Sequence, residues 1–131
     1  MAGIAAIIGS SDRKSVQEMS DRISHRGNQA SGFASTSNGV VFQTCLAADM
    51  RYLRRDATVP VRSSDASKAV ICYDGNLYVE SRHETPDGSH SDEHLLLELY
   101  AATGVSMVHE LPEGVFAFLI VDGSRFLAAR D

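Results

Sequence analysis

The sequence predicts a single α+β domain in which antiparallel sheets are covered by helices. Its 131 residues suit one domain, and an apolar fraction of 44% is sufficient to build a core. Segments with strand character come mostly in pairs joined by short turn dipeptides, and helical segments separate these pairs. Parallel strands would instead need a crossover after each strand, so this order favours antiparallel hairpins over a doubly wound sheet.

The chain is predicted to open with an apolar strand and an amphipathic helix. Residues 3–9 (GIAAIIG) form a short apolar run bounded by glycine, which is typical of a buried strand. Ser11 or Asp12 can cap the helix that follows, and Gly27 ends it. The helix carries one apolar stripe at spacings of three and four residues: Val16, Met19 and Ile23.

Two dipeptides predict tight hairpin turns. Asn38-Gly39 and Asp122-Gly123 both suit the positive φ angles of two-residue hairpin loops. A separate run, KAVICY, has the β-branched content of a strand. Strands are therefore expected over 32–37, 40–47, 68–73, 114–121 and 125–129.

A second helix is predicted after the turn over 86–88 (PDG). Ser91 caps this helix, and Asp92 and Glu93 place negative charge in its first turn, where the helix dipole favours it. Gly104 ends it. Its predicted core stripe is Leu95, Leu96, Leu99, Tyr100 and Thr103.

Composition and charge exclude several functional classes. A formal net charge of −5 is unfavourable for a general binder of nucleic acid. Apolar runs such as 115–121 are far shorter than the ~20 residues that span a bilayer, and residues 1–9 lack the basic start of a signal peptide. We expect a soluble, cytosolic domain that binds neither nucleic acid nor membrane.

General patterns for metal or nucleophilic sites are weak. His90 and His94 lie four residues apart, but the HExxH pattern is absent, and solvated roles around a helix start are favoured over a metal site. Cys45 and Cys72 are too few for a zinc quartet, and both fall in predicted strands as small hydrophobic residues. The basic cluster over 51–55 is expected to be a solvated loop. No metal site is predicted.

Short motifs in a fixed order carry a family resemblance. They are 1–9 (MAGIAAIIG), 25–27 (HRG), 51–53 (RYL), 73–78 (YDGNLY), 91–92 (SD) and 114–118 (GVFAF). Together they resemble the N-terminal glutaminase domain of class II glutamine amidotransferases, in the asparagine synthetase branch. The resemblance implies an N-terminal nucleophile hydrolase fold, an αββα sandwich of two antiparallel sheets between helices, with no cofactor in the domain. Residues 1–131 would form the N-terminal part of the family domain, either truncated or unusually short.

The resemblance also shows departures at the catalytic positions. In the family, a cysteine follows the initiator methionine; its thiol is the nucleophile, and its α-amine, of pKa about 7.7–8.0, is the base. Here that position is Ala2, whose methyl group cannot form a thioester. The family's Asn-Gly oxyanion pair appears as Asp74-Gly75, which replaces an amide donor with a carboxylate. Residues 28–29 (NQ) and Asn76 also differ from the family pattern. The sequence therefore predicts that glutaminase activity is lost.

The ligand-anchoring positions match better. Arg51 corresponds to the family arginine that binds the substrate α-carboxylate, and Asp92 to the aspartate that accepts the α-ammonium group. Taken singly, the residues favour other roles: a loop ion pair for Arg51, and a carboxylate at a helix start for Asp92. Their place within the motif set favours a ligand-binding ancestry.

Three functions stay open. The first is an inactive scaffold or partner of an asparagine-synthetase-like, amide-forming enzyme of the β-lactam synthetase or lasso-peptide cyclase type. The second is an active glutaminase with an engineered Cys-to-Ala change at Ala2, and the third is a stand-alone amino-acid-binding module. Ala2 together with Asp74 favours the first, since one engineered change would not explain both. The expected partners are glutamine or another small amino acid, and an ATP-dependent synthetase domain or subunit; homo-oligomer formation stays open.

Overall fold

The structure, a computed structural model, describes residues 2–27, 30–45, 59–63, 68–79 and 91–131, and it confirms the predicted α+β sandwich. Its strands are β1 (Ala2–Ile8), β2 (Ala30–Thr36), β3 (Gly39–Cys45), β4 (Val61–Arg62), β5 (Val70–Leu77), β6 (Gly114–Asp122) and β7 (Arg125–Arg130). Its helices are α1 (Arg13–Ile23) and α2 (Asp92–Thr103), each followed by a 3-10 turn, Ser24–Arg26 and Gly104–His109. All strand pairs are antiparallel, in the orders β1-β3-β2 (sheet A) and β4-β5-β6-β7 (sheet B).

Helix α1 covers the outer face of sheet A. Its cap is Asp12, which accepts a hydrogen bond from the Ser15 N–H at 3.1 Å. The predicted stripe faces the sheet, with Val16 fully buried and Met19 and Ile23 partly buried. This helix packs against β1, the strand that begins at the first predicted site residue.

Helix α2 covers the outer face of sheet B. Ser91 caps it and Gly104, at φ +61°, ends it, as predicted. The buried face differs from the predicted stripe: it includes Leu97, whereas Leu95 and Leu99 are only partly buried. Because apolar residues surround most of this helix, periodicity alone could not select the face that meets the sheet.

A third apolar layer lies between the two sheets. Alternate residues of β1 and β5 point into it, because successive strand side chains point to opposite faces. Its buried members are Ala34, Val41, Val70, Cys72 and Val121, packed against Ile4, Ala6, Ile8 and Leu119. The inter-sheet face of β1 begins at Ala2, and that of β5 continues to Asp74, so the two meet at one end of the sandwich.

The two predicted hairpin turns differ in detail. Gly123 has a positive φ of +55° and occupies the turn between β6 and β7, as expected. Gly39 instead pairs with Thr36 as the first residue of β3, and it has no positive φ. It must be glycine for a different reason: a Cβ there would lie 2.2 Å from the backbone oxygen of Ile7.

Some predicted features fall outside the described residues. These include the turn over 86–88, the basic cluster over 51–55 and residues 28–29. Strand β5 extends beyond the predicted 68–73, to Leu77, and therefore carries the predicted oxyanion pair within a strand. Among the described helices, none has the length and apolar character needed to cross a membrane.

Candidate functional site

The structure brings two of the predicted site residues into direct contact. The N–H of Ala2, at the start of β1, donates a hydrogen bond to Asp74 Oδ1 on β5 at 2.7 Å. These residues are 72 positions apart, and the stacking of sheet A on sheet B places them together. The position where the family resemblance expects a nucleophile thus lies beside the position where it expects an oxyanion donor.

Arg26 completes this contact, although sequence reasoning assigns it no role. Its Nε donates to the backbone oxygen of Ala2 at 2.7 Å, and its Nη2 donates to Asp74 Oδ2 at 2.8 Å. Arg26 comes from the 3-10 turn after α1, so three elements meet here. The HRG motif at 25–27 marked this arginine in the sequence, but its partners could be seen only in the fold.

Ala2 itself is enclosed. Its residue exposure is 4%, and it packs with Val59 and Ala30. Its backbone N–H and C=O are both engaged by side chains, as described above. Its side chain carries no hydrogen-bonding or nucleophilic atom, so only the backbone of this residue takes part in polar contacts.

Asp74 uses both carboxylate oxygens as acceptors. Oδ1 accepts from Ala2 and Oδ2 from Arg26, and the side chain is 22% exposed. A carboxylate bonded in this way presents acceptors, not donors, to the interior of the site. An oxyanion hole needs donors, so this arrangement is the opposite of what it requires.

Gly75 keeps the backbone geometry that the site needs. Its φ is +146°, and a Cβ at this position would lie 2.2 Å from the backbone oxygen of Val115 on the neighbouring strand. Only glycine fits such a close approach at a φ that other residues rarely adopt. The second member of the predicted oxyanion pair is therefore required by the fold, whether or not it has a chemical role.

Asp92 acts from the other face of sheet B. Its Oδ2 accepts hydrogen bonds from the Tyr73 hydroxyl at 2.7 Å and from the Leu77 N–H at 2.9 Å. Tyr73 points toward α2, whereas Asp74 points toward sheet A. Asp92 thus ties the first turn of α2 to β5. Arg51, its predicted companion, lies outside the described residues.

Gln43 is a second residue that the sequence did not reveal. It is 1% exposed; its Nε2 donates to the Tyr73 backbone oxygen at 3.0 Å, and its Oε1 accepts from the Tyr73 N–H at 3.3 Å. Within the described residues β4 pairs with β5 at Val70 and Ile71, and the Gln43 amide bonds to the β5 backbone beyond that point. It fixes the backbone immediately before Asp74.

Among the described residues, the remaining candidate groups are not arranged as nucleophiles or metal ligands. Burial raises the pKa of the Cys72 thiol far above its ordinary value, so this thiol stays protonated and acts as a core residue, as expected. The side chain of Cys45 and the whole of His90 lie outside the described residues. His94 Nδ1 is 2.8 Å from Ser91 Oγ at the helix cap. Within the described ranges, no three His, Cys, Asp or Glu residues group as metal ligands.

Comparison with known proteins agrees with this architecture. A family model described as "Glutamine amidotransferase domain" matches residues 1–131. The chain is similar to "Asparagine synthetase [glutamine-hydrolyzing]" from Mesocricetus auratus, with 32% identity over 93% of this chain and 23% of that protein. The proteins of the same name from Homo sapiens and Gallus gallus are 31% and 30% identical, over 93% and 100% of this chain. The chain spans about a quarter of the length of these relatives.

Proposed function

Because this chain belongs to the glutamine amidotransferase domain family, in the group related to asparagine synthetases, we propose that it is a member that has lost glutamine hydrolysis. In this proposal it acts as a scaffold or partner of an asparagine-synthetase-like, amide-forming enzyme. The observation that carries the proposal is the contact between Ala2 and Asp74. Neither residue suits glutamine hydrolysis at the position that it occupies in the family pattern.

The first incompatibility is the nucleophile. The family mechanism needs a thiol at residue 2, and Ala2 supplies only a methyl group. Loss of a covalent nucleophile costs on the order of a million-fold in turnover. The buried Cys72 cannot compensate, because it faces the inter-sheet core and its thiol stays protonated.

The second incompatibility is electrostatic. An ionised carboxylate about 4 Å from a developing oxyanion raises its energy by about 4 kcal/mol at an effective dielectric constant of about 20. Arg26 offsets part of this charge through its ion pair with Asp74. Because its Nη2 donates to Asp74, that N–H group does not serve as a donor to the oxyanion. The residue pair therefore disfavours the tetrahedral intermediate that an amide donor would stabilise.

The proposed partner is an ATP-dependent synthetase domain or subunit. Relatives that match this chain are named asparagine synthetases, and the match covers only 23% of their length. A synthetase that uses its own amine nucleophile, of the β-lactam synthetase or lasso-peptide cyclase type, would not need ammonia from this domain. Glutamine or another small amino acid remains the proposed ligand class, through the family positions Arg51 and Asp92.

The two alternatives are less well supported. An engineered Cys-to-Ala change would explain Ala2 but not the Asp74–Arg26 ion pair beside it. A stand-alone amino-acid sensor would use Asp92, yet Oδ2 of this carboxylate already bonds to Tyr73 and Leu77. A cysteine codon at position 2 of the native gene would favour the first alternative, and glutamine binding that is lost in Arg51→Ala would favour the second.

The experiment is glutamine-dependent ammonia release, measured on the unaltered chain and on Ala2→Cys. Ala5→Cys is the matched control, because it adds a thiol to the same strand on the face that packs against α1. We expect all three proteins to release no more ammonia than a blank without protein. Steady ammonia release by the unaltered chain, or robust release by Ala2→Cys but not by Ala5→Cys, would refute the proposal.

A further inference from the structure

The backbone N–H of residue 2 is hydrogen-bonded to Asp74, and its C=O to Arg26. We call this pair of side chains the residue-2 clamp. We propose that the clamp makes Asp74 a positioning residue, which holds β1 against sheet B and keeps the former nucleophile position closed. The inference rests on the proposed function only in treating residue 2 as the former nucleophile position. Its observations are the three hydrogen bonds that join Ala2, Arg26 and Asp74.

The clamp requires a carboxylate. Asp74 accepts from Ala2 with Oδ1 and from Arg26 with Oδ2, so each oxygen serves a different donor on a different element. An asparagine side chain has only one acceptor oxygen. Its NH₂ group would therefore meet the N–H donor of either Ala2 or Arg26, and one of the two hydrogen bonds would be lost. The change from amide to carboxylate, which is unfavourable for an oxyanion hole, is therefore favourable for this contact.

The clamp also satisfies a strand edge. Among the strands that the structure describes, β1 lies at the edge of sheet A and has β3 as its one neighbour. The N–H and C=O of Ala2 point away from β3 and would otherwise require water or another strand. Asp74 and Arg26 bond to these two groups as a neighbouring strand would, and the charged partners make both bonds stronger than neutral ones.

The enclosure of residue 2 follows from this grip. Ala2 is 4% exposed against Val59 and Ala30, whereas the Arg26 and Asp74 side chains are 40% and 22% exposed. Both members of the ion pair are thus more exposed than the residue whose backbone they bond. When the clamp is broken, the start of β1 loses two bonds to side chains and can separate from sheet B more often.

The test is the alkylation rate of a thiol placed at residue 2, which requires neither glutamine nor catalysis. Ala2→Cys is treated with iodoacetamide, and modification of Cys at position 2 is followed by peptide mass spectrometry, separately from Cys45 and Cys72. The same measurement is made after adding Asp74→Asn or Arg26→Lys. The matched control adds Asp122→Asn, which breaks another Arg–Asp pair in sheet B, formed with Arg125 at 3.2 Å.

We expect Asp74→Asn to accelerate alkylation at residue 2 by about ten-fold, the change in opening equilibrium that follows loss of one charge-assisted hydrogen bond. Arg26→Lys should act in the same direction, since one ammonium group cannot reproduce both guanidinium contacts. Asp122→Asn should leave the rate unchanged. Circular dichroism of each variant checks that it is folded; if Asp74→Asn does not fold, Arg26→Lys decides.

Equal alkylation rates with and without the clamp substitutions, in folded proteins, would overturn the inference. This result would leave the ammonia measurement unaffected, so the proposed loss of activity would stand. Conversely, ammonia release by the unaltered chain would refute the proposed function without changing the alkylation rates. The two failures are therefore distinguishable.

Discussion

Gln43→Met should destabilise the protein more than any other single polar substitution near the site. The change keeps the length of a side chain that is 1% exposed and removes both of its bonds to the Tyr73 backbone, at 3.0 and 3.3 Å. Each bond contributes about 1 kcal/mol net, and a buried backbone group that loses its partner costs about 1–3 kcal/mol. The expected loss is therefore about 2–5 kcal/mol, a large part of the 5–15 kcal/mol that typically stabilises a domain.

Urea unfolding followed by far-UV circular dichroism measures this loss. With a urea m-value of about 2 kcal/mol/M, the midpoint should fall by about 1–2.5 M while m stays constant. Gln17→Met is the matched control, because Gln17 is exposed on α1 and bonds only to Ser20 and Asp21 side chains among the described contacts. A midpoint shift for Gln43→Met no larger than that of Gln17→Met would show that the Gln43 amide does not hold the sheets together.

Three further outcomes are expected. Gly75→Ala should lower the thermal midpoint far more than Gly123→Ala. Both glycines have positive φ, but of the two only Gly75 would place a Cβ 2.2 Å from a neighbouring strand. Equal shifts would contradict the close approach of the two strand backbones at Gly75. Tyr73→Phe should cost about 1–3 kcal/mol of unfolding free energy in urea, because it removes the hydrogen bond to the Asp92 carboxylate. No loss would show that the Tyr73 hydroxyl does not help to hold α2 on β5. Burial and the nearby Asp122 raise the pKa of Tyr100, so the folded state keeps a proton that the unfolded state loses. Stability should then fall as pH rises above about 10, and less steeply in Tyr100→Phe, as pH-dependent urea midpoints would show.

Local structure could be predicted well from the residues because its causes are local. Asp12 and Ser91 cap the two helices, and Gly104 ends α2 with a positive φ, all as expected. These assignments depend on hydrogen bonds within a few residues and on the conformational freedom of glycine. The family motifs then supplied the layer order, which neither periodicity nor composition could provide.

Errors arose where a distant neighbour decides the outcome. Gly39 looked like a turn residue, but its lack of a side chain serves the close approach of β1 at Ile7. The face of α2 that includes Leu97 was missed, since apolar residues lie on several sides of the helix. In both cases the packing partner comes from another part of the chain.

The sequence by itself determined the two antiparallel sheets with their helices, the family, and the alanine at position 2 on which the proposed loss of activity rests. Only the tertiary structure decided that Asp74 pairs with Arg26, 48 residues away, and that Gln43 bonds to Tyr73 across 30 residues. The physical reason is that helix caps and strand character depend on interactions within a few residues. Bonds between a side chain and a distant backbone exist only once register and the stacking of sheets have set the distances.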